Sequence, residues 1–237
     1  MATPAHNRVV LKISGESMCR DGDDGIDTEA VAATAREIKL AAETGVQLAV
    51  VIGGGNICRG QVLAASGLER AVCDQMGMLA TAINALALQD ALERLGLEVR
   101  VQTAIAMAAV AEPYIRRRCM AHLDYGRLCI LAAGTGNPFF STDTAAVLRA
   151  REIGASILMK ATKVDGVYDD DPLKNPKAQF FSKITAREAL DRNLRVMDLT
   201  ALTMAIEAHL PILVFKLRQP GNIRNAVLGE PVGTLIT

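Results

Sequence analysis

The chain has no tryptophan, and only five phenylalanines and three tyrosines among 237 residues. Half of its residues are nonetheless hydrophobic, so the core has to be built from Ala, Val, Ile, Leu and Met. Net charge is also absent: 26 basic residues balance 26 acidic ones. That balance excludes a general electrostatic grip on nucleic acid, though not a local basic pocket. No C-x-x-C pair exists among Cys19, Cys58, Cys73, Cys119 and Cys129, which removes a zinc ribbon and a disulfide framework from consideration. Cys119 and His122 have the spacing of half a metal site, but no second half follows, so no metal-binding residue is assigned. His6, His122 and His209 are isolated. The most apolar stretch, AIAMAAVA at 104–111, is too short for a bilayer, and the opening MATPAHN lacks a charged-then-apolar leader. The expectation is a soluble, cytoplasmic protein without membrane contact.

What is present is alternation. Short apolar runs at 8–13, 46–52, 97–101, 127–133, 156–160 and 211–216 read as strands, the second nearly all apolar, as for a parallel strand covered on both faces. Helical patterns lie between them. One runs from an Asp27 cap to Thr44, stopped by Gly45, and a long one covers about 66–95 before Gly96. Others are expected at 142–153, 185–191, 200–209 and 220–228. In the long helix Val72, Met76, Leu79, Ile83 and Leu86 keep a three-four spacing, while Met78, Leu88, Leu92 and Leu95 add a second apolar side. A helix apolar on two sides is deeply buried or shared with another subunit. The pattern predicts an α/β protein with a mostly parallel open sheet, in one domain over 1–237. The turn-rich stretch 164–180 reads as a long functional loop.

The segment VVIGGGNICRG (50–60) carries the functional signal. It is not a dinucleotide fingerprint, because Cys58 stands where the third glycine belongs. It is not a P-loop either, because Gln61 and Val62 follow Gly60 in place of Lys and Ser/Thr. Three glycines after a buried strand suggest close approach to the backbone, with N–H groups forming an anion nest and Arg59 adding a planar cation. A plain turn is the alternative. The same arrangement recurs twice, at LKISGES (11–17) with Lys12, and at AAGTGNPFFSTDTA (132–145). Taken singly, Lys12 could sit on an edge strand and Ser141 or Thr142 could merely cap a helix. Taken together, three glycine-bearing loops at strand ends point to one anionic ligand. The acidic loops DGDDGID (21–27) and YDDDP (168–172) both fail the EF-hand pattern.

The stretches LKISGE, VVIGGGNICRG, DQMGMLAT, AGTGNPFFSTD, KATKVDGVYDDDP, VMDLTA and GTLIT, in this order over about 8–237, resemble the bacterial uridylate kinases of the amino-acid kinase superfamily. The resemblance implies a three-layer αβα sandwich and reversible transfer of the ATP γ-phosphoryl group to UMP with Mg²⁺ held mainly through phosphates. It further implies a cytoplasmic homohexamer in pyrimidine nucleotide biosynthesis, of a family in which some members are inhibited by UTP and activated by GTP. For the GTP response, Gln89 and Glu93 stand where the resemblance leads one to expect basic residues, while Arg100 remains. By the same resemblance Lys12, Ile13, Ser14 and Gly15 hold ATP phosphates. Gly55 and Arg59 touch ATP, and Thr162, Tyr168 and Asp171 surround its nucleoside. Gly54 contacts UMP through its backbone, and Asp74 binds the UMP ribose. Thr135, Gly136, Asn137, Pro138, Phe139, Phe140, Ser141 and Thr142 form the loop around uracil and its phosphate. Asp143 and Asp198 orient the site, with Asp198 expected to hold Lys12, so that Lys12, Arg59, Asp143 and Asp198 make up the catalytic group. The acceptor side is then mainly N-terminal plus 135–142, and the ATP side mainly 160–237 plus 12–15. Competing readings are an acetylglutamate, aspartate or carbamate kinase of the same superfamily, a non-catalytic oxyanion-storage relative, and a nicotinamide-dependent dehydrogenase, which lacks its fingerprint.

Overall fold

A computed structural model describes residues 3–194 and 196–237. The strands are β1 (Arg8–Ile13), β2 (Gln47–Ile52), β3 (Val99–Thr103), β4 (Glu112–Pro113), β5 (Leu128–Ala132), β6 (Ile157–Thr162), β7 (Val167–Tyr168), β8 (Phe180–Phe181), β9 (Lys183–Ile184), β10 (Ile212–Lys216) and β11 (Thr234–Ile236). The helices are α1 (Thr28–Ala42), α2 (Gly60–Ala65), α3 (Arg70–Arg94), α4 (Arg116–Asp124), α5 (Thr142–Ile153), α6 (Ala186–Asp191), α7 (Leu199–Glu207) and α8 (Asn222–Val227), with a 3₁₀ turn at Gly15–Met18.

Nine strands form one sheet in the order β4-β3-β5-β2-β1-β6-β10-β11-β9. Every pairing is parallel except β10 with β11. Strand side chains alternate between faces, so β1 sends Val9, Leu11 and Ile13 into one core, against α1, α3 and α8. Val10 goes into the other, against α4 to α7. Two-sided cover explains the continuous apolar strands. It also gives the αβα layering that the resemblance implies.

Asp27 caps α1, its side chain accepting from the Ala30 N–H at 2.9 Å. The 66–95 pattern divides into the last residues of a turn and α3, with α2 before it. The three-four stripe of α3 faces outward: Val72, Met76, Leu79, Ile83 and Leu86 are 36% to 48% exposed, whereas Met78, Leu88 and Leu92 are buried. By length and composition α3 could cross a membrane. Its inner face packs on the sheet and it carries Asp74 and buried Asn84, which marks it as a helix of this core. The apolar stretch 104–111 forms turns, not a helix.

The stretch 164–180 is a hairpin more than a loop. β7 and β8 pair antiparallel, and the Thr234 hydroxyl fastens them to the sheet, accepting from the Val167 N–H at 2.8 Å and donating to the Phe181 carbonyl. The GTLIT ending is therefore structural, forming β11 beside β10.

Candidate active site

The centre of the site follows from strand parity. Lys12 continues the Val10 face of β1 and Lys160 the Leu158 face of β6, and the two lysines are register partners across the parallel pair. Both reach toward the first turn of α5, where Asp143 receives them. Its Oδ1 lies 2.7 Å from Lys12 Nζ and its Oδ2 2.5 Å from Lys160 Nζ. The three side chains are only 12% to 14% exposed. Burial alone would raise the Asp143 carboxyl, but the two ammonium groups overcome it and hold the group below its ordinary value. Burial lowers Lys160, with Asp143 opposing. Lys160 also donates to the Val196 carbonyl.

One expectation is corrected here. Asp198 does not hold Lys12; Asp143 does. Asp198 is the N-cap of α7, where its Oδ1 accepts from the Ala201 N–H at 3.0 Å and from the Thr144 hydroxyl at 2.9 Å. Its other oxygen accepts from Ser141 Oγ. Ser141 in turn caps α5, accepting from the Thr144 N–H at 3.0 Å. Asp198 thus fixes the helix that presents Asp143, and its charge also acts on Lys160.

The three glycines divide by role. An added Cβ on Gly15 would meet Asn56 Oδ1 at 2.4 Å and the Gly53 carbonyl at 2.8 Å. One on Gly53 would meet the Gly15 nitrogen at 2.9 Å, and one on Gly54 the Gly77 carbonyl of α3 at 2.7 Å. These three therefore let the protein's own backbone approach. Gly55 faces open space. Among the described residues the N–H groups of Gly15, Gly54 and Gly55 have no protein acceptor, and they cluster where the β1 and β2 ends meet. A buried amide pair holds this cluster on α3. Asn56 and Asn84 bond reciprocally at 3.1 and 2.7 Å, and Asn84 also donates to the Gly53 carbonyl at 2.8 Å. Ile13 is fully buried with its carbonyl accepting from Gly53 N–H, so it shapes the loop from below. Ser14 caps the 3₁₀ turn.

Beside these loops opens a cavity of about 560 Å³. Gly54, Gly55, Arg59, Asp74, Asn137, Phe140, Ser141 and Thr142 line it, so most of the expected acceptor residues converge. Thr135, Gly136, Pro138 and Phe139 belong to the same loop but do not line the cavity. Phe139 adopts φ +72° and donates its N–H to Asp74 at 2.9 Å, tying the loop to α3. Asp74 also pairs with Arg70, a cavity cation that the sequence reading passed over. Cys58 lines the wall half-buried, and burial pushes its thiol up, which makes it a poor nucleophile.

On the other side of the β1 end, Glu16 joins Arg59 (3.5 Å) to Lys163 (2.7 Å). Thr162 ends β6, its hydroxyl donating to the Val164 carbonyl at 2.6 Å. Tyr168 lies on the hairpin, packed edge-on against Phe180 and donating to Asp165 at 2.8 Å. Asp171 organises the hairpin turn, accepting from the Leu173 N–H at 3.0 Å. These three stand apart from the acceptor cavity.

The donor set suits a polyphosphate. Lys12, Lys160, Arg59 and the unpaired N–H groups are cations and donors, matched to phosphate oxygens. Asp143 Oδ1 is buried with the Lys12 ammonium, at 2.7 Å, as its partner. With two ammonium groups against that carboxylate, magnesium fits this cleft when its oxygen ligands come mainly from the phosphates themselves.

The description "Amino acid kinase family" matches residues 7–216. A chloroplastic uridylate kinase of Arabidopsis thaliana is 52% identical over 230 residues, covering 97% of this chain and 68% of the relative. The structure of a UMP kinase from Bacillus anthracis superposes with a TM-score of 0.95 at 39% identity, over 98% of this chain and 96% of that one. A UMP kinase from Ureaplasma parvum gives 0.91 at 36%, over 98% of both chains. The matched span contains β1, β6 and α5, the three elements that carry the lysine pair and its carboxylate, and the chain belongs to the amino acid kinase family.

Proposed function

We propose that the protein is a UMP kinase, moving the γ-phosphoryl group of ATP to UMP and releasing UDP and ADP. The observation that carries this reading is the Lys12–Asp143–Lys160 bridge at the β1 and β6 ends, next to the glycine cluster and the 560 Å³ cavity. The names of the relatives, two of them solved structures of UMP kinases at 39% and 36% identity, support the same acceptor.

The chemistry asks little of proton transfer. The UMP phosphate is mostly ionised near pH 7, since its second pKa is about 6, so an oxygen nucleophile is ready without a general base. The difficulty is the meeting of two polyanions and the charge on the group in flight. Lys12 and Arg59 take up that charge, with the N–H groups of Gly15 and Gly55 as preorganised donors. Asp143 keeps Lys12 aimed, and Asp198 keeps Asp143 in place. Magnesium supplies further charge neutralisation across the phosphates when bound. Gly54 and the 135–142 loop receive the UMP phosphate and base, and Asp74 the ribose. Ser14 supports the β1 turn on the ATP side, while Thr162, Tyr168 and Asp171 flank the ATP nucleoside.

Beyond the reaction, we place the enzyme in the cytoplasm, in pyrimidine nucleotide supply toward CTP. We assign it a homohexamer with UTP as inhibitor; Gln89 and Glu93, in place of basic residues, leave a GTP response unassigned. The outward apolar stripe of α3 supports a first pairing of subunits.

A coupled ADP-release assay with ATP and Mg²⁺ tests the acceptor, with UMP, CMP, dUMP, acetylglutamate and aspartate compared side by side. Release with UMP and little with CMP is expected, with dUMP weakened by loss of the Asp74 partner. Release with acetylglutamate or aspartate instead would move the chain to another branch of the family. ATP binding without any release would make it a binding protein.

A further inference from the structure

The 135–142 loop leaves β5 through an unusual corner. Ala133 and Gly134 both adopt left-handed backbone, φ +60° and +57°, and Ala133 is fully buried. A non-glycine residue in that region is strained and persists only where its surroundings hold it. Two side chains hold it. On one side Thr81 of α3 accepts from the Ala133 N–H at 2.7 Å and donates its own proton to the Met78 carbonyl at 2.7 Å. On the other side Arg149 of α5 donates to the Gly134 carbonyl at 3.2 Å.

Arg149 is buried to 6% exposure, and its guanidinium is fixed on every side. It pairs with Glu152 at 2.7 Å and lies over the Tyr114 ring at 3.9 Å from the centroid. Tyr114 donates to the same Glu152 oxygen at 2.7 Å. A buried arginine so anchored is a rigid donor, and its free edge is spent on one loop carbonyl. Thr81 and Gly134 both line the 560 Å³ cavity. Arg149 also shares α5 with Asp143. The clamp therefore ties the acceptor loop to α3 and α5 from outside the lysine pair.

We propose that Thr81 and Arg149 are positioning residues for the acceptor nucleotide, holding the Ala133–Gly134 corner so that the 135–142 loop is preformed for it. The proposal rests on the UMP kinase reading above. It predicts a loss confined to the acceptor: a loop that must be ordered on binding costs acceptor affinity and leaves the ATP side unaffected.

The test is steady-state kinetics on the full-length protein, with kcat, the KM for UMP and the KM for ATP measured separately, for Thr81→Val, Thr81→Ser and Arg149→Met. Valine keeps the shape of threonine but leaves the Ala133 N–H without an acceptor, whereas serine keeps the hydroxyl. T81V and R149M should raise the KM for UMP about tenfold, the scale of one lost buried hydrogen bond, with the KM for ATP within about twofold. T81S should stay within about twofold of wild type for both. If R149M does not fold, the T81V and T81S pair decides alone. An equal rise in both KM values, or no rise in T81V, overturns the proposal, because a merely structural role would not discriminate between substrates. Wild-type protein that turns over no UMP overturns the functional reading instead, and that arm is read before any variant.

Discussion

Asp143 sets a single carboxylate against two buried ammonium groups, and the consequences of removing either partner differ. Lys12→Ala takes a cation from the reacting phosphates and should lower kcat by at least about 10²-fold, the scale of one preorganised donor, in the ADP-release assay. Asp143→Asn removes the counter-ion and should cost about 3 kcal/mol of stability, as breaking a buried pair does. The pH dependence gives a second signature. In the wild type the carboxyl is held below its ordinary value, so its contribution is complete above the unfolded value of 3.8 and lost as pH falls through the folded one. In D143N the opposition to Lys160 burial is gone, and that lysine falls further below its ordinary value of 10.5. Between the lowered folded value and 10.5 the unfolded chain then binds more protons than the folded one, so stability rises with pH there. Thermal unfolding of D143N as pH approaches 10.5 should show the rise; a flat profile would mean that Lys160 keeps its ordinary value in the folded protein.

At the scale of elements, the glycine cluster separates packing from binding. Gly15→Ala drives a methyl into Asn56 and the Gly53 backbone and should destabilise the fold by about 1–3 kcal/mol. Gly55→Ala meets nothing within 4 Å and needs no left-handed backbone, so it should unfold like wild type while raising the KM for ATP or UMP. Denaturant titration beside kinetics checks both. The sequence made the cluster visible but not this division, because a run of glycines does not say whether protein or ligand fills the space. Most strands and α1, α3 and α5 were legible from period and caps such as Asp27. The helix α4 was not, since Arg116, Arg117 and Arg118 put three cations at an N-terminus where the helix dipole disfavours them. Lys160 is not legible as a site residue either: it opens KATKVDGV, but only the β1–β6 register puts that lysine beside Lys12. Asp198 was assigned to the right neighbourhood and the wrong partner, since which carboxylate reaches a lysine depends on helix placement.

For the whole molecule, the outward face of α3 sets the expectation. Val72, Met76, Leu79, Ile83 and Leu86 make a continuous apolar stripe on a 25-residue helix, more than a monomer ordinarily leaves to water. With a second copy of the chain as its cover, Leu79→Asp together with Ile83→Asp should reduce the assembly to a smaller species by light scattering on a sizing column. An unchanged mass would place the subunit contact elsewhere. The same helix carries Asp74, Thr81 and Asn84 on its inner side, so the contact lies one helix diameter from the acceptor cavity.

The pairing of Lys12 with Lys160 also fixes when the protein becomes competent. Strand β1 meets β2 soon after both exist, but its other edge waits for β6, which follows the synthesis of every element through α5. Contacts between such distant parts of a chain form late and slowly. The two cations come together only as that long-range seam closes, so a nascent or half-refolded chain that lacks it has no means of splitting ATP, and phosphoryl transfer should lag the recovery of helix signal during refolding.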